Sequence, residues 1–159
     1  MGREHKNNIT IEQIDKIKTQ VARSCESAED CQQTMQLIKE ILGAANSTII
    51  IDANDIRDSL DAEGVLSAFD VSVNAITSER MKKLVGQIEK KTIHNAPIKS
   101  LLFYLFFPEE FPLQMSELQP LSDWLSSTQS DTDLKVRWGM AATSHSSEPL
   151  LRAIVLAVK

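Results

Sequence analysis

Leu101-Leu102-Phe103-Tyr104-Leu105-Phe106-Phe107 is an unbroken apolar run, led in by Ile98 and closed by Pro108. It is too short to cross a bilayer, which takes about 20 residues of helix. A run of this length fits a central β-strand covered on both faces, or one held at an interface. On its C-terminal side Pro108 and Pro112 punctuate the chain. Ser116 then opens a helix carrying Leu118, Leu121, Trp124 and Leu125, with Pro120 in its first turn, where a missing N–H does little harm. Leu134, Val136, Trp138 and Met140 alternate with Lys135, Arg137 and Gly139, the pattern of a half-buried strand. Leu150 to Val158 reads as the last strand, with Arg152 its one internal charge. The short polar loop 143–149 between these two strands predicts an antiparallel hairpin.

On the N-terminal side, Met81, Leu84, Val85 and Ile88 form an amphipathic helical stripe. The opposite face, with Glu79, Arg80, Lys82, Lys83, Glu89 and Lys90, is expected to meet water. Val65 to Val73 alternates as a strand, and Gly64 ends a short helix starting near Asn54. Thr48 to Ile51 is a short β-branched strand. Further back, Ser27 with Asp30 starts a helix bearing Cys31, Met35, Ile38 and Leu42 and stopped by Gly43. Thr10 with Gln13 forms a capping box ahead of the Ile11-Ile14-Ile17-Val21 stripe. That first helix either packs on the domain as a flap or joins a second chain; its pattern is too short for a heptad dimer.

This order predicts an α+β fold: a two-layer sandwich whose four-stranded mixed sheet ends in a C-terminal antiparallel hairpin, with helices packed on one face. Residues 1–9 form a polar tail, 10–46 a helical hairpin, and 47–159 the main domain. The chain has 159 residues, 42% hydrophobic and 25% charged, enough for one core and against disorder throughout. Its 17 Lys+Arg against 22 Asp+Glu give a net charge of -5, without the basic footprint of a nucleic-acid binder. No membrane segment or signal peptide is read. Cys25 and Cys31, the only cysteines, point to a reducing, cytoplasmic setting. The five glycines, at 2, 43, 64, 86 and 139, are scattered. A phosphate-cradling loop needs them clustered, so no nucleotide or other cofactor is expected.

From about Asp30 to Lys159 the chain resembles the C-terminal half of the tubulin/FtsZ superfamily, and FtsZ more closely. Ile50-Ile51-Asp52-Ala53-Asn54-Asp55-Ile56-Arg57 falls where that family carries an Asn-x-Asp-x-x-Asp loop between its long central helix and the next one. Asp52 and Asp55 match the acids, and Ile50 replaces the Asn. Leu134 to Met140 with Leu151 to Ala157 is similar to the family's closing hairpin, including its hydrophobic-Arg-hydrophobic final strand. The resemblance implies that residues 27 to 43 correspond to the central helix and that the GTP-binding domain is not in this sequence. The chain is then a reduced stand-alone form or part of a longer GTPase.

In that family the loop enters the nucleotide site of the next subunit, where its acids orient water and cation. The resemblance therefore makes Asp52 and Asp55 trans-acting candidates, with no catalytic residue intrinsic to the chain. Asp52, Asn54, Asp55 and Arg57 become candidates for binding a protein partner, either an FtsZ/tubulin-like polymer subunit or the chain itself. Helix capping explains the same acids and ranks first; with Ile50 in the Asn position, binding without turnover is the expectation. Phe107 and Phe111, in Phe106-Phe107-Pro108-Glu109-Glu110-Phe111-Pro112, would make a partner patch if exposed, although core is the default for Phe. No metal spacing is found around His5, His94 or His145, and the Ser144-His145-Ser146-Ser147 cluster lacks the Gly-x-Ser-x-Gly turn of a hydrolase. The functional expectation is a non-enzymatic interaction module that caps or regulates such a polymer. The alternatives are a homo-oligomeric scaffold using sheet edges or the aromatic exit near Phe107, and a fragment of a larger FtsZ-like GTPase whose loop completes a neighbour's GTP site.

Overall fold

A computed structural model describes residues 10–44, 46–92, 98–128, 134–144 and 148–159. The polar tail, all three histidines, Ser146 and Ser147 lie outside the described residues. The element order is α1 (Ile11–Ser24), α2 (Ala28–Leu42), β1 (Asn46–Ile49), α3 (Ala53–Leu60), β2 (Leu66–Asn74), α4 (Arg80–Thr92), β3 (Ser100–Pro108), α5 (Gln119–Thr128), β4 (Lys135–Thr143) and β5 (Leu150–Val158). A 3-10 turn at Met115–Leu118 leads into α5. The class is α+β, with a mixed sheet behind two N-terminal helices.

The apolar run forms the central strand. β3 pairs in parallel with β4 and antiparallel with β5, and Leu101 to Leu105 are all buried. Three details differ from the sequence expectation. The sheet has five strands in the order β1-β4-β3-β5-β2, because the short β1 adds to the outer end of β4. β4 and β5 do not form a hairpin, since β3 lies between them. Closing a two-strand gap takes only about 10 Å, well within the reach of a six-residue connection, and the fully apolar β3 gains from a strand on either side. Finally, helices cover both faces. Met81, Leu84 and Ile88 of α4 and Leu121 and Trp124 of α5 pack on Phe103, Leu105, Leu151 and Val155. Ile17 and Val21 of α1, Ile38 and Ile41 of α2 and Ile56 of α3 pack on Leu102, Tyr104, Ile154 and Leu156 of the other face. Alternate residues of one apolar strand thus feed two cores.

Helix α1 is a flap on the domain. Ile17 and Val21 are buried, worth about 1.5–3 kcal/mol each. Its Gln20 Nε2 donates to the Arg57 carbonyl of α3 at 3.0 Å. The Thr10–Gln13 capping box is formed, with both hydrogen bonds at 3.1 Å.

Arg80, expected on the wet face of α4, is only 7% exposed. Its Nε donates to Glu117 Oε2 (2.7 Å), Nη1 to the Ala75 and Phe111 carbonyls (3.1 and 2.9 Å), and Nη2 to the Pro112 carbonyl and Glu117 Oε1 (3.0 and 2.8 Å). All five guanidinium N–H groups have partners, which is what makes burial of the charge tolerable.

Candidate functional site

The acidic loop is built by the start of α3. Ile51 and Ala53 are buried and anchor the backbone on either side of Asp52, whose side chain points outward. Asp52 Oδ1 accepts from the Asp55 amide at 2.9 Å, and Asp55 Oδ2 accepts from the Asp52 amide at 3.1 Å. This reciprocal capping box satisfies two helix N–H groups that have no partner inside the helix. Asn54 is exposed beside it, and Ile50 is 55% exposed on the approach.

Two basic residues of β4 close over the acids. Arg137 Nη1 donates to Asp55 Oδ1 at 3.2 Å. Its Nε (3.2 Å) and Nη2 (2.5 Å) reach Asp58 Oδ2, while Lys135 Nζ lies 3.4 Å from Asp58 Oδ1. The hydrogen bond from Arg137, reinforced by the nearby charge of Lys135, holds the Asp58 carboxyl below its ordinary pKa. Of the six carboxylate oxygens on Asp52, Asp55 and Asp58, only Asp52 Oδ2 accepts no hydrogen bond from the described residues. No group of three or more His, Cys, Asp or Glu among the described residues is arranged to hold a metal ion. The loop is therefore a hydrogen-bonded knob in which three carboxylates meet two basic side chains and one carboxylate oxygen accepts no hydrogen bond from the described residues.

The other candidates fall in different places. Arg57 is half-buried under the flap, and its Nε is buried without a partner among the described residues. Phe107 is 6% exposed and belongs to the core on the α4/α5 face, so its ring is not on offer to a partner. Phe111 is 37% exposed; its carbonyl is one of the Arg80 acceptors, and Ile76 and Met115, exposed as well, lie near other groups that Arg80 binds. Neither Phe107 nor Phe111 is part of the acidic loop. The sequence reading missed Asp58, Lys135 and Arg137. Their signal was present as an i, i+3 acid pair on α3 and two basic residues on one face of β4.

The fold compares with known structures over most of its length. Over 81% of this chain it superposes on a point mutant of FtsZ from M. jannaschii with a TM-score of 0.55 at 14% identity. An empty FtsZ dimer from the same organism gives 0.58, also at 14% identity and 81% of this chain. The fold is FtsZ-like. The chain spans only 39% and 37% of the length of those two FtsZ chains. No protein-family model matches the sequence, and no curated protein matches it. Helix α1 packs against α3, the helix that carries the acidic loop. No helix among the described residues is long and apolar enough to cross a membrane.

Proposed function

We propose that this chain is a non-enzymatic interaction module of FtsZ-like C-terminal fold that docks its acidic loop on the nucleotide-bearing end of an FtsZ- or tubulin-like subunit, ending or regulating filament growth there. Asp52, Asn54 and Asp55 carry the contact, with Ile50 at its rim. Arg57 supports α3 from beneath the flap. The observation that carries the reading is the occupancy of the carboxylates. Capping bonds and Arg137 tie the acids to this chain, so the loop offers a defined shape with one open oxygen, and Asp55, already engaged by Arg137, is drawn away from the water and cation it would have to orient for attack on phosphate. The scattered glycines of this sequence are the second support, since none of them builds a phosphate loop.

The test is sedimentation of an FtsZ polymer grown with GTP in the presence of increasing amounts of this chain. Substoichiometric chain should shorten filaments and reduce pelleted polymer without raising GTP turnover per subunit. Unchanged polymer mass and length at equimolar chain would refute the reading.

A further inference from the structure

The far edge of the sheet is an open strand. β2 pairs on one side only, with β5, through nine consecutive register positions from Leu66↔Val158 to Asn74↔Leu150 without a bulge. The direction of its hydrogen bonds follows from the two ends. Val65 and Lys159 exchange both backbone bonds at 3.0 Å, and the Ala75 amide donates to the Pro149 carbonyl at 3.0 Å. By the alternation of antiparallel ladders, Ser67, Phe69, Val71 and Val73 also turn toward β5. Leu66, Ala68, Asp70 and Ser72 then aim their N–H and C=O groups away from the sheet, and no hydrogen bond reaches those groups among the described residues.

Natural edges are usually blunted by proline, a bulge, extreme shortness or an unpaired charge. The opposite edge follows that rule: β1 has four residues and an irregularity between Ser47 and Ile49. β2 has no proline or glycine, and Asp70 is its single charge. That charge is partnered within the chain: Asp70 Oδ2 accepts from Arg152 Nε at 3.0 Å, and Arg152 also donates to Glu40 at 2.8 and 3.0 Å.

We infer that β2 pairs with β2 of a second copy, antiparallel about a two-fold axis, to make one continuous sheet. The side chains narrow the register. Outward-facing residues must meet outward-facing residues, a condition that a two-fold centred on any residue from Ala68 to Val71 meets with most of the strand paired. Centring on Asp70 sets two carboxylates directly opposite each other, which is unfavourable. Centring on Ala68 faces Leu66 with Asp70 and carries Val73 past the end of the strand, opposite Glu63. Centring on Phe69 faces Ala68 with Asp70 and Leu66 with Ser72 on one side of the sheet. On the other side it sets Val65, 47% exposed in the single chain, against the half-buried Val73, while the Phe69 ring stays in its own core. Centring on Val71 faces Asp70 with Ser72 and Phe69 with Val73, so the registers on Phe69 and Val71 are the two that bring apolar residues together without opposing like charges. The acidic loop lies toward the β1/β4 side, so the inference stands apart from the capping reading and is compatible with it.

Sedimentation velocity of the full chain over a range of concentrations, with amide hydrogen exchange, tests this. A reversible monomer–dimer equilibrium is expected, together with slower exchange at the Ala68 and Asp70 amides as concentration rises. Ala68→Pro removes an outward N–H that β5 does not use, and Ala68→Lys places a charge on the edge. Each should weaken dimerisation by about tenfold or more, while the melting temperature measured on dilute monomer identifies the variant that has kept its fold. A chain that stays monomeric at every concentration would overturn the inference. So would a dimer that survives in the folded variant, or Ala68 and Asp70 amides that exchange alike at low and high concentration.

Discussion

Arg80 and Glu117 join the first turn of α4 to the 3-10 turn ahead of α5 through two parallel N–H···O contacts of 2.7 and 2.8 Å. The arginine side chain is 8% exposed and the glutamate 29%. The pair fixes the chain between β3 and α5, because the same guanidinium also holds the Phe111 and Pro112 carbonyls. Removing one partner of a buried, fully bonded pair leaves uncompensated polar groups. Arg80→Ala should therefore cost about 3–5 kcal/mol in urea unfolding. Arg80→Lys should recover only part of that, since an ammonium has three donors and no planar fork.

The same pair gives the stability a defined pH dependence. The hydrogen bond from Arg80 is the main cause that holds the Glu117 carboxyl below its ordinary value of 4.5, with a further contribution from the Gln114 amide. A carboxylate whose pKa is depressed by folding stabilises the folded state above its unfolded pKa. That contribution is lost as pH falls from about 4.5 through the lower folded value. Asp58 acts in the same direction through Arg137. Urea midpoints measured between neutral pH and pH 3 should fall in this window for the wild type and fall less steeply for Glu117→Gln.

Gly139 stands where β1, β3 and β4 come closest. A Cβ there would lie 2.6 Å from Tyr104 Cε1, 2.7 Å from the Ile49 carbonyl oxygen and 2.8 Å from Ile51 Cγ1. The Tyr104 hydroxyl is itself fixed by Ser47 Oγ at 2.7 Å, so the ring cannot swing away without losing that bond. Gly139→Ala should destabilise the domain by about 1–3 kcal/mol, and amide exchange should show the loss first in β1.

Cys25 is expected to be a slow thiol. Burial is the main cause that raises its pKa from 9.0 to about 11. At pH 8 that leaves roughly a hundredfold less thiolate than an unperturbed thiol would show. Alkylation of a Cys31→Ser chain should accordingly be slow at neutral pH and accelerate only toward pH 11; a rate equal to that of a free peptide thiol would contradict it.

The sequence was legible to different depths for different features. Element order came through because each element has a pattern of its own: Met81-Leu84-Val85-Ile88 for α4, the alternation of β2, and the unbroken apolar run that fits a covered central strand. Strand neighbours did not, because a polar connector such as 143–149 fits equally a tight hairpin and a step over an intervening strand. The inner face of Arg80 was hidden for a similar reason. In a helix pattern an arginine reads as wet, and its burial depends on Ala75, Phe111, Pro112 and Glu117, groups that only the fold brings to it. At the acidic loop the capping box of Asp52 and Asp55 was readable from spacing alone. The clamp of Arg137 on Asp55 and Asp58 spans about 80 residues and needed the sheet.

The most direct measurement is equilibrium binding of this chain to an FtsZ subunit held below its polymerising concentration, compared with the Asp52→Asn variant. Asparagine is as good a helix cap as aspartate, so the variant keeps the shape of the loop and loses the charge of its one open carboxylate. The account predicts one-to-one binding by the wild type that is favoured by GTP on the subunit and weakened in Asp52→Asn. No binding, or binding that ignores both the nucleotide and the substitution, would contradict it.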